Sequence, residues 1–110
     1  MPKVKICEIK SGMRNIEVTG QIESLSERKR VKTRYGFADV ATAVLRDKTG
    51  SIHLNLSRQQ IDVAREGETV RIKNAFVRVY GNSLELNIGK DGEIRAIDKN
   101  LDTEPQVFKL

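Results

Sequence analysis

The sequence contains one cysteine, no tryptophan and no long hydrophobic run in its 110 residues. A single Cys7 excludes an intramolecular disulfide, and neither a signal segment nor an apolar span is visible. These absences predict a cytoplasmic protein that does not enter membranes. Cys7 lies next to Ile6 and close to Ile9, without a second cysteine or a histidine nearby in the sequence, which favours a small structural hydrophobe over a reactive thiol.

Catalytic and metal-binding patterns are missing as well. An enzyme needs a nucleophile beside a base, paired carboxylates in a pocket or a glycine-rich loop that cradles phosphate, and none is visible. His53 has no companions at metal-ligand spacing, and Asp47 is a turn residue before Gly50. We therefore expect no catalytic residues, no metal and no cofactor.

The sequence does carry a concentrated positive charge. Its 20 Lys and Arg residues exceed its 15 Asp and Glu residues, for a net charge of +5. Five cations follow one another without an intervening acid: Arg28, Lys29, Arg30, Lys32 and Arg34. Such a patch favours a polyanionic partner, because neutralised phosphates release condensed counterions. A solvated loop that only keeps the protein soluble is the alternative.

Alternation of apolar and polar residues predicts short strands. The segments with this pattern are Asn15–Glu23, the two arms of a hairpin in Phe37–Ser57, Thr69–Tyr80, Leu84–Ile88 and Ile94–Ile97. The pattern of Arg58–Arg65 predicts a short helix. Gly20 predicts a bulge or a strong bend, and a change of phase near Lys73 predicts a second bulge. We expect Ser24–Gly36 to form a long loop or an extended hairpin tip.

An all-β chain of about five strands, with a helix between the third and fourth, predicts a small barrel. The best match is a five-stranded OB-fold barrel with a short helix between strands 3 and 4, and an SH3-like barrel is the alternative. We expect residues 1–98 to form a single OB-fold domain and residues 99–110 a weakly ordered C-terminal tail. We also expect a monomer.

Three stretches resemble the archaeal single-stranded DNA-binding proteins and the DNA-binding domains of replication protein A. They are IKSGMRNIEVTG at Ile9–Gly20, DKTGSIHLNLS at Asp47–Ser57 and EGETVRIKNAFVRVYG at Glu66–Gly81. In that family bases stack on aromatic residues while basic side chains follow the phosphates. The resemblance therefore implies stacking on Phe76 and Tyr80, and aromatic stacking tolerates any base.

The strand pattern by itself places the same two aromatic residues on an outward face. Ala75, Val77 and Val79 share one phase and are predicted to point inward, which leaves Phe76 and Tyr80 on the opposite face.

The sequence departs from the family pattern at one position. The third strand of the family usually ends in Leu-Trp, whereas here Leu56 is followed by Ser57. One stacking platform is therefore missing, which implies weaker binding or compensation from Tyr35 or His53.

The focused positive charge, the outward aromatic residues and the family resemblance together predict the binding of single-stranded DNA in replication, recombination or repair. The predicted binding residues are Arg28, Arg30, Lys32, Arg34, Tyr35, His53, Asn55, Ser57, Arg58, Lys73, Phe76, Arg78 and Tyr80. Single-stranded RNA binding is an alternative, since only contacts to the 2′-OH distinguish the two polymers. Another is an OB module that binds replication or repair proteins within a replication protein A-like complex, which the missing tryptophan and the apolar terminus from Val107 to Leu110 favour.

Overall fold

Six β-strands, a 3₁₀ turn and a short helix make up residues 2–97, the part of the chain that the computed structural model describes. In chain order they are the 3₁₀ turn Ile6–Glu8, β1 Arg14–Leu25, β2 Lys29–Thr33, β3 Gly36–Asp47, β4 Gly50–Ser57, α1 Gln60–Val63, β5 Thr69–Tyr80 and β6 Ser83–Ile97. The tail expected at residues 99–110 lies outside the described residues. In the described range no helix is long and apolar enough to cross a membrane.

Five of these strands close into a barrel. They are hydrogen-bonded in the order β1-β5-β6-β4-β3, and β3 pairs back with β1. The pairing of β4 with β6 is parallel, and β2 extends the sheet beyond β3. The predicted OB-fold barrel is therefore confirmed, with α1 between its third and fourth strands. The helix is shorter than the predicted Arg58–Arg65, because Arg58 has a φ of 54° and Ala64 a ψ of 70°.

The core is built from side chains that alternate along the strands. One row crosses four strands through successive pairs of residues, Val77 with Leu86, Leu86 with Leu54 and Leu54 with Ala43. All four side chains are buried. Successive residues of a strand point to opposite faces. On each strand the neighbours of these buried residues therefore face outward.

Gly20 is required by a close approach of strands. The register of β1 shifts on either side of Ile16 and between Ile22 and Ser24, so no bulge lies at Gly20, and the alternative of a strong bend there stays a prediction. A Cβ atom at Gly20 would lie 2.8 Å from the carbonyl oxygen of Arg46. Only glycine lets β3 pass this close to β1.

The bulge predicted near Lys73 is confirmed. The register of β5 and β6 shifts between Lys73 and Ala75, and Asn74 has a φ of 59°. The shift turns Ala75 and Val77 inward, as the alternation predicted. Val79 was predicted to join them and is 55% exposed instead, because its pair with Leu84 is next to the β5–β6 turn.

Cys7 is exposed, so its predicted role as a structural hydrophobe is wrong. Ile6 and Ile9, three residues apart, are both buried and place the 3₁₀ turn on the core. The backbone N–H of Cys7 donates to Thr49 Oγ1 at 3.0 Å, so its main chain is tied to the β3–β4 turn while the residue stays exposed to solvent.

Asp47 fixes the turn between β3 and β4. Its Oδ1 accepts from the backbone N–H of Thr49 at 2.7 Å, the hydroxyl of Thr49 at 2.6 Å and the N–H of Gly50 at 3.2 Å, and its Oδ2 accepts from the N–H of Ile6 at 2.9 Å. Partial burial acts to raise the pKa of Asp47, but the bonds from Thr49, Ile6 and Gly50 together outweigh it and lower this pKa below its ordinary value.

Replacing Asp47 with Asn should lower the free energy of unfolding near neutral pH by about 1 kcal/mol, a low value because the site is partly solvent-screened. A lowered folded-state pKa stabilises the protein above the unfolded-state pKa, and this stabilisation is lost as pH falls through the folded-state pKa. Denaturant unfolding should be measured from neutral pH down through the folded-state pKa of Asp47. The free energies of unfolding of the two proteins should converge as the pH falls. The control is Asp91→Asn, at an exposed aspartate of β6. A difference that stays constant down to low pH would contradict the role of the carboxylate.

Candidate nucleic-acid interface

The outward side chains of four barrel strands form one continuous surface, which we name the outer face. Its members are Val40, Thr42 and Val44 on β3, His53, Asn55 and Ser57 on β4, Ser83, Glu85 and Asn87 on β6, and Phe76, Arg78 and Tyr80 on β5. Six of the predicted binding residues belong to this surface, which the barrel brings together from β4 and β5.

Two rows of the outer face cross all four strands, because residues that pair across strands share a face. One row contains Phe76, Asn87, Asn55 and Thr42, and the neighbouring row contains Arg78, Glu85, His53 and Val44. Together the two rows carry groups suited to different parts of a nucleotide. The first has an aromatic ring, two amides and a hydroxyl, and the second has a cation, a carboxylate and an imidazole.

The aromatic side chains lie at one edge of the outer face. Phe76 is half-buried and Tyr80 is 74% exposed, next to the β5–β6 turn. The guanidinium carbon of Arg78 lies 5.3 Å from the centroid of the Phe76 ring, within the range of a cation–π contact. A planar ligand can therefore stack on Tyr80 directly, and on Phe76 when it replaces or joins the guanidinium.

A polar network occupies the middle of the outer face. Asn55 Nδ2 donates to Glu85 Oε1 at 2.9 Å and to Asn87 Oδ1 at 3.2 Å, and the Thr42 hydroxyl donates to Asn55 Oδ1 at 3.3 Å. Sequence reasoning selected Asn55 and missed the other three. Their outward phase was readable, but the parallel pairing of β4 with β6 that brings them to Asn55 has no local signal.

The basic segment is a β-hairpin and not a loop. β2 pairs with the start of β3 from Lys29 with Val40 to Thr33 with Gly36. The Thr33 hydroxyl donates to the carbonyl of Gly36 at 2.7 Å, and Gly36 has a φ of 108°, which a side chain rarely tolerates. At its tip Tyr35 is 84% exposed. The extended hairpin tip was thus the correct alternative.

Two cations of the basic segment are paired with acids from elsewhere in the chain. Arg28 contacts Asp62 of α1 and lies 3.9 Å from Asp39, and Arg30 lies 3.5 Å from Asp39. The acid-free patch of the sequence is thus partly neutralised in the fold. Within residues 2–97 the other three cations form no ion pair: Lys29, Lys32 and Arg34.

The register of the hairpin sorts its cations between two sides. Lys29 pairs with Val40, which pairs with Ser57, so Lys29 extends the outer face onto β2. Lys32 pairs with Phe37 on the opposite side of the hairpin, together with Arg30. Sequence reasoning missed Lys29 as a site residue. Phe37 was not predicted as a site residue either, and it is 66% exposed. Its position directly after Tyr35 and Gly36 in the sequence could have indicated an exposed aromatic residue at the hairpin tip.

The remaining predicted cations lie at the borders of the outer face. Arg58 is exposed directly after Ser57, and its N–H donates to the carbonyl of Asp39 at 2.9 Å. Lys73 is exposed before the bulge of β5 and pairs with Glu93, so it lies outside the two rows. The structure therefore places Arg58 next to the β4 border of the outer face and separates Lys73 from this surface.

A depression of about 420 Å³ opens beside Phe76. Three basic residues, Arg14, Arg78 and Lys90, contribute to its lining, against one acid, Asp91. Arg14 also pairs with Phe76 across β1 and β5. The aromatic edge of the outer face is thus bordered by positive charge that sequence reasoning, apart from Arg78, did not select.

Comparison with known proteins also indicates an OB fold of the single-stranded DNA-binding kind. Residues 4–96 match the family described as single-stranded DNA binding protein Ssb-like, OB fold. The single-stranded DNA binding protein Ssb of Saccharolobus solfataricus is 28% identical over 116 residues, which cover 96% of this chain and 78% of that protein. Replication factor A of Methanothermobacter thermautotrophicus is 31% identical over 91 residues, which cover 82% of this chain and 12% of that protein.

Solved structures support the fold. The solution structure of an OB domain from Thermoplasma acidophilum superimposes with a TM-score of 0.74 at 22% sequence identity, covering 89% of each chain. The resemblance that the three sequence stretches indicated is therefore confirmed over nearly the whole described barrel. With a family match over residues 4–96, the chain belongs to the Ssb-like family of OB-fold single-stranded DNA-binding proteins.

Proposed function

We propose that this protein binds single-stranded DNA on the outer face, in replication, recombination or repair. The observation that carries the proposal is the outer face itself, where Phe76 and Tyr80 border a polar centre on one continuous sheet surface. Base–aromatic stacking contributes about 1–3 kcal/mol per base and needs unpaired bases, which favours single strands over a duplex. The name of the Saccharolobus relative agrees with this ligand.

Phosphates would be contacted along two borders of the outer face. Lys29 lies on the β2 border, and Arg14 and Lys90 line the depression beside Phe76. The protein acts by binding and not by catalysis, because these groups stack, hydrogen-bond and neutralise charge. Residues 1–98 would form the binding domain.

A contact with replication or repair proteins is the second candidate function. Val79 and Tyr80 are exposed at the β5–β6 turn, and Tyr35 and Phe37 are exposed at the hairpin tip. Exposed aromatic residues are common anchors of protein interfaces. The named relative Replication factor A is a much longer protein, of which this chain covers 12%, which is consistent with an OB module that works beside other domains.

Fluorescence anisotropy with labelled single-stranded DNA, single-stranded RNA and duplex DNA at two salt concentrations tests the proposal. Single-stranded DNA should bind most tightly. Tighter binding of RNA would make the protein an RNA-binding member of the family, and tight binding of no nucleic acid would favour the protein contact.

Replacing Lys29, Lys32 and Arg34 with Ala should flatten the salt dependence of binding. Within residues 2–97 these cations have no ion pair, so they are free to neutralise phosphates. The slope of log K against log salt should fall by up to roughly 0.7 for each phosphate of the single strand that the variant no longer neutralises, whatever the base sequence.

A triple alanine variant at three other exposed lysines is the matched control, since it removes the same charge: Lys5, Lys10 and Lys48. Its slope should stay close to that of the parent protein. Equal slopes in the two triple variants would remove the hairpin from the phosphate path.

A further inference from the structure

Glu85 places a negative charge in the centre of the outer face. In the register of the sheet it lies opposite Arg78 on β5 and His53 on β4, so cationic or polar neighbours flank it on both sides. No other member of the outer face has a carboxylate. A carboxylate at the centre of a surface that binds a polyanion needs a physical reason, because it repels phosphate.

The carboxylate is held in place but not neutralised. Asn55 Nδ2 donates to Glu85 Oε1 at 2.9 Å, while the guanidinium of Arg78 lies over the ring of Phe76. In the described part of the chain Glu85 forms no ion pair, and its Oε2 accepts no hydrogen bond. Oε2 is thus an acceptor that a ligand can use.

We propose that Glu85 reads the edge of a base and selects guanine, an inference that rests on the proposed binding of single strands. The repulsion of phosphate directs the backbone to the borders of the outer face and leaves base edges at its centre. Phe76 lies two residues from Arg78 on β5, which corresponds to about 7 Å along the strand. A base stacked on Phe76 therefore has its edge within reach of the neighbouring row, where Glu85 lies.

The donor pattern of the bases decides which one is selected. Guanine presents N1–H and N2–H side by side, which match Oε2 of Glu85 and the second lone pair of Oε1, since each carboxylate oxygen can accept two hydrogen bonds. Cytosine and adenine present one amino group beside a ring nitrogen that accepts. Thymine presents N3–H between two carbonyl oxygens, which the carboxylate repels. Glu85 therefore favours guanine most and thymine least.

Anisotropy titrations with oligo-dT strands test this directly. A single dG, dC, dA or deoxyinosine is placed at each position of the strand in turn, so that one register brings it to Glu85. The dG strand in that register should bind about tenfold more tightly than oligo-dT, as for other bidentate base contacts. Deoxyinosine lacks the N2 amino group and should fall between the two.

Glu85→Gln should abolish the preference for dG, because its amide nitrogen faces guanine with a donor instead of an acceptor. The amide oxygen can still accept from Asn55, so the network on the outer face is kept. Glu68→Gln, at an exposed glutamate outside the outer face, is the control for the change of net charge and should keep the preference.

Three results would overturn the inference. The first is equal affinity of the parent protein for dG and dT strands in every register. The second is a uniform gain of affinity for all strands in Glu85→Gln, which would make Glu85 a repulsive charge only. The third is a parent protein that binds no strand at all, which would overturn the proposed function and this inference with it.

Discussion

Phe76→Ala and Tyr80→Ala should each weaken the binding of single-stranded DNA by about 1–3 kcal/mol, the contribution of one stacked base. Both side chains lie on the outer face of β5, in the phase opposite to the buried Ala75 and Val77. The losses should be similar for different base sequences, because every base offers a π-face. Anisotropy titrations against several homopolymers would measure them.

The two substitutions should differ in their effect on stability. Tyr80 is 74% exposed, so its truncation should leave the free energy of unfolding nearly unchanged. Phe76 is half-buried and contacts the guanidinium of Arg78, so its truncation should cost part of its packing and a cation–π contact of about 0.5–1 kcal/mol. Thermal unfolding of each variant separates a lost binding surface from a lost fold.

Leucine at each position is the matched control, since it keeps apolar bulk and removes the aromatic face. Phe76→Leu and Tyr80→Leu should lose nearly as much affinity as the alanine variants. Full affinity in the leucine variants would show that packing and not stacking is involved. Loss of association with another protein, with unchanged DNA binding, would assign this edge of the outer face to the protein contact.

The sequence predicted the faces of the strands because a face is a local property. Alternation along β4 separated the buried Ile52 and Leu54 from the exposed His53, and the change of phase at Lys73 located the bulge of β5. Since the bulge reverses the alternation, it also decided that Phe76 points outward. This aromatic edge of the site was therefore readable without coordinates.

The polar network at the centre of the outer face and the pairing of its charges could not be predicted from the sequence, because both depend on contacts between segments that are distant along the chain. Asp62 contacts Arg28 only in the folded chain, although 34 positions separate them in the sequence. Glu85 meets Asn55 only through the parallel pairing of β4 and β6. Register also decides that Lys29 joins the outer face, since a shift of one residue would exchange the two sides of β2.

Ser57 lies at the position for which the sequence resemblance implies a missing tryptophan, and its surroundings would accommodate an indole. Ser57 is half-buried on the outer face and pairs with Val40, which pairs with Lys29. Its backbone N–H donates to Gln60 Oε1 at 2.9 Å, a bond that does not depend on the side chain. The neighbouring Leu56 points into the core and is 2% exposed, so a larger residue at position 57 extends away from the core.

Ser57→Trp should therefore strengthen the binding of single-stranded DNA by about 1–3 kcal/mol, the contribution of one additional stack, with little change in the free energy of unfolding. Because the chain has no other tryptophan, the fluorescence of the introduced indole reports stacking directly and should be quenched on binding. Gln21→Trp, at an exposed uncharged residue of β1 outside the outer face, is the control and should show neither effect. Unchanged affinity and unquenched emission in a folded Ser57→Trp protein would place the bound strand away from the β4 border of the outer face.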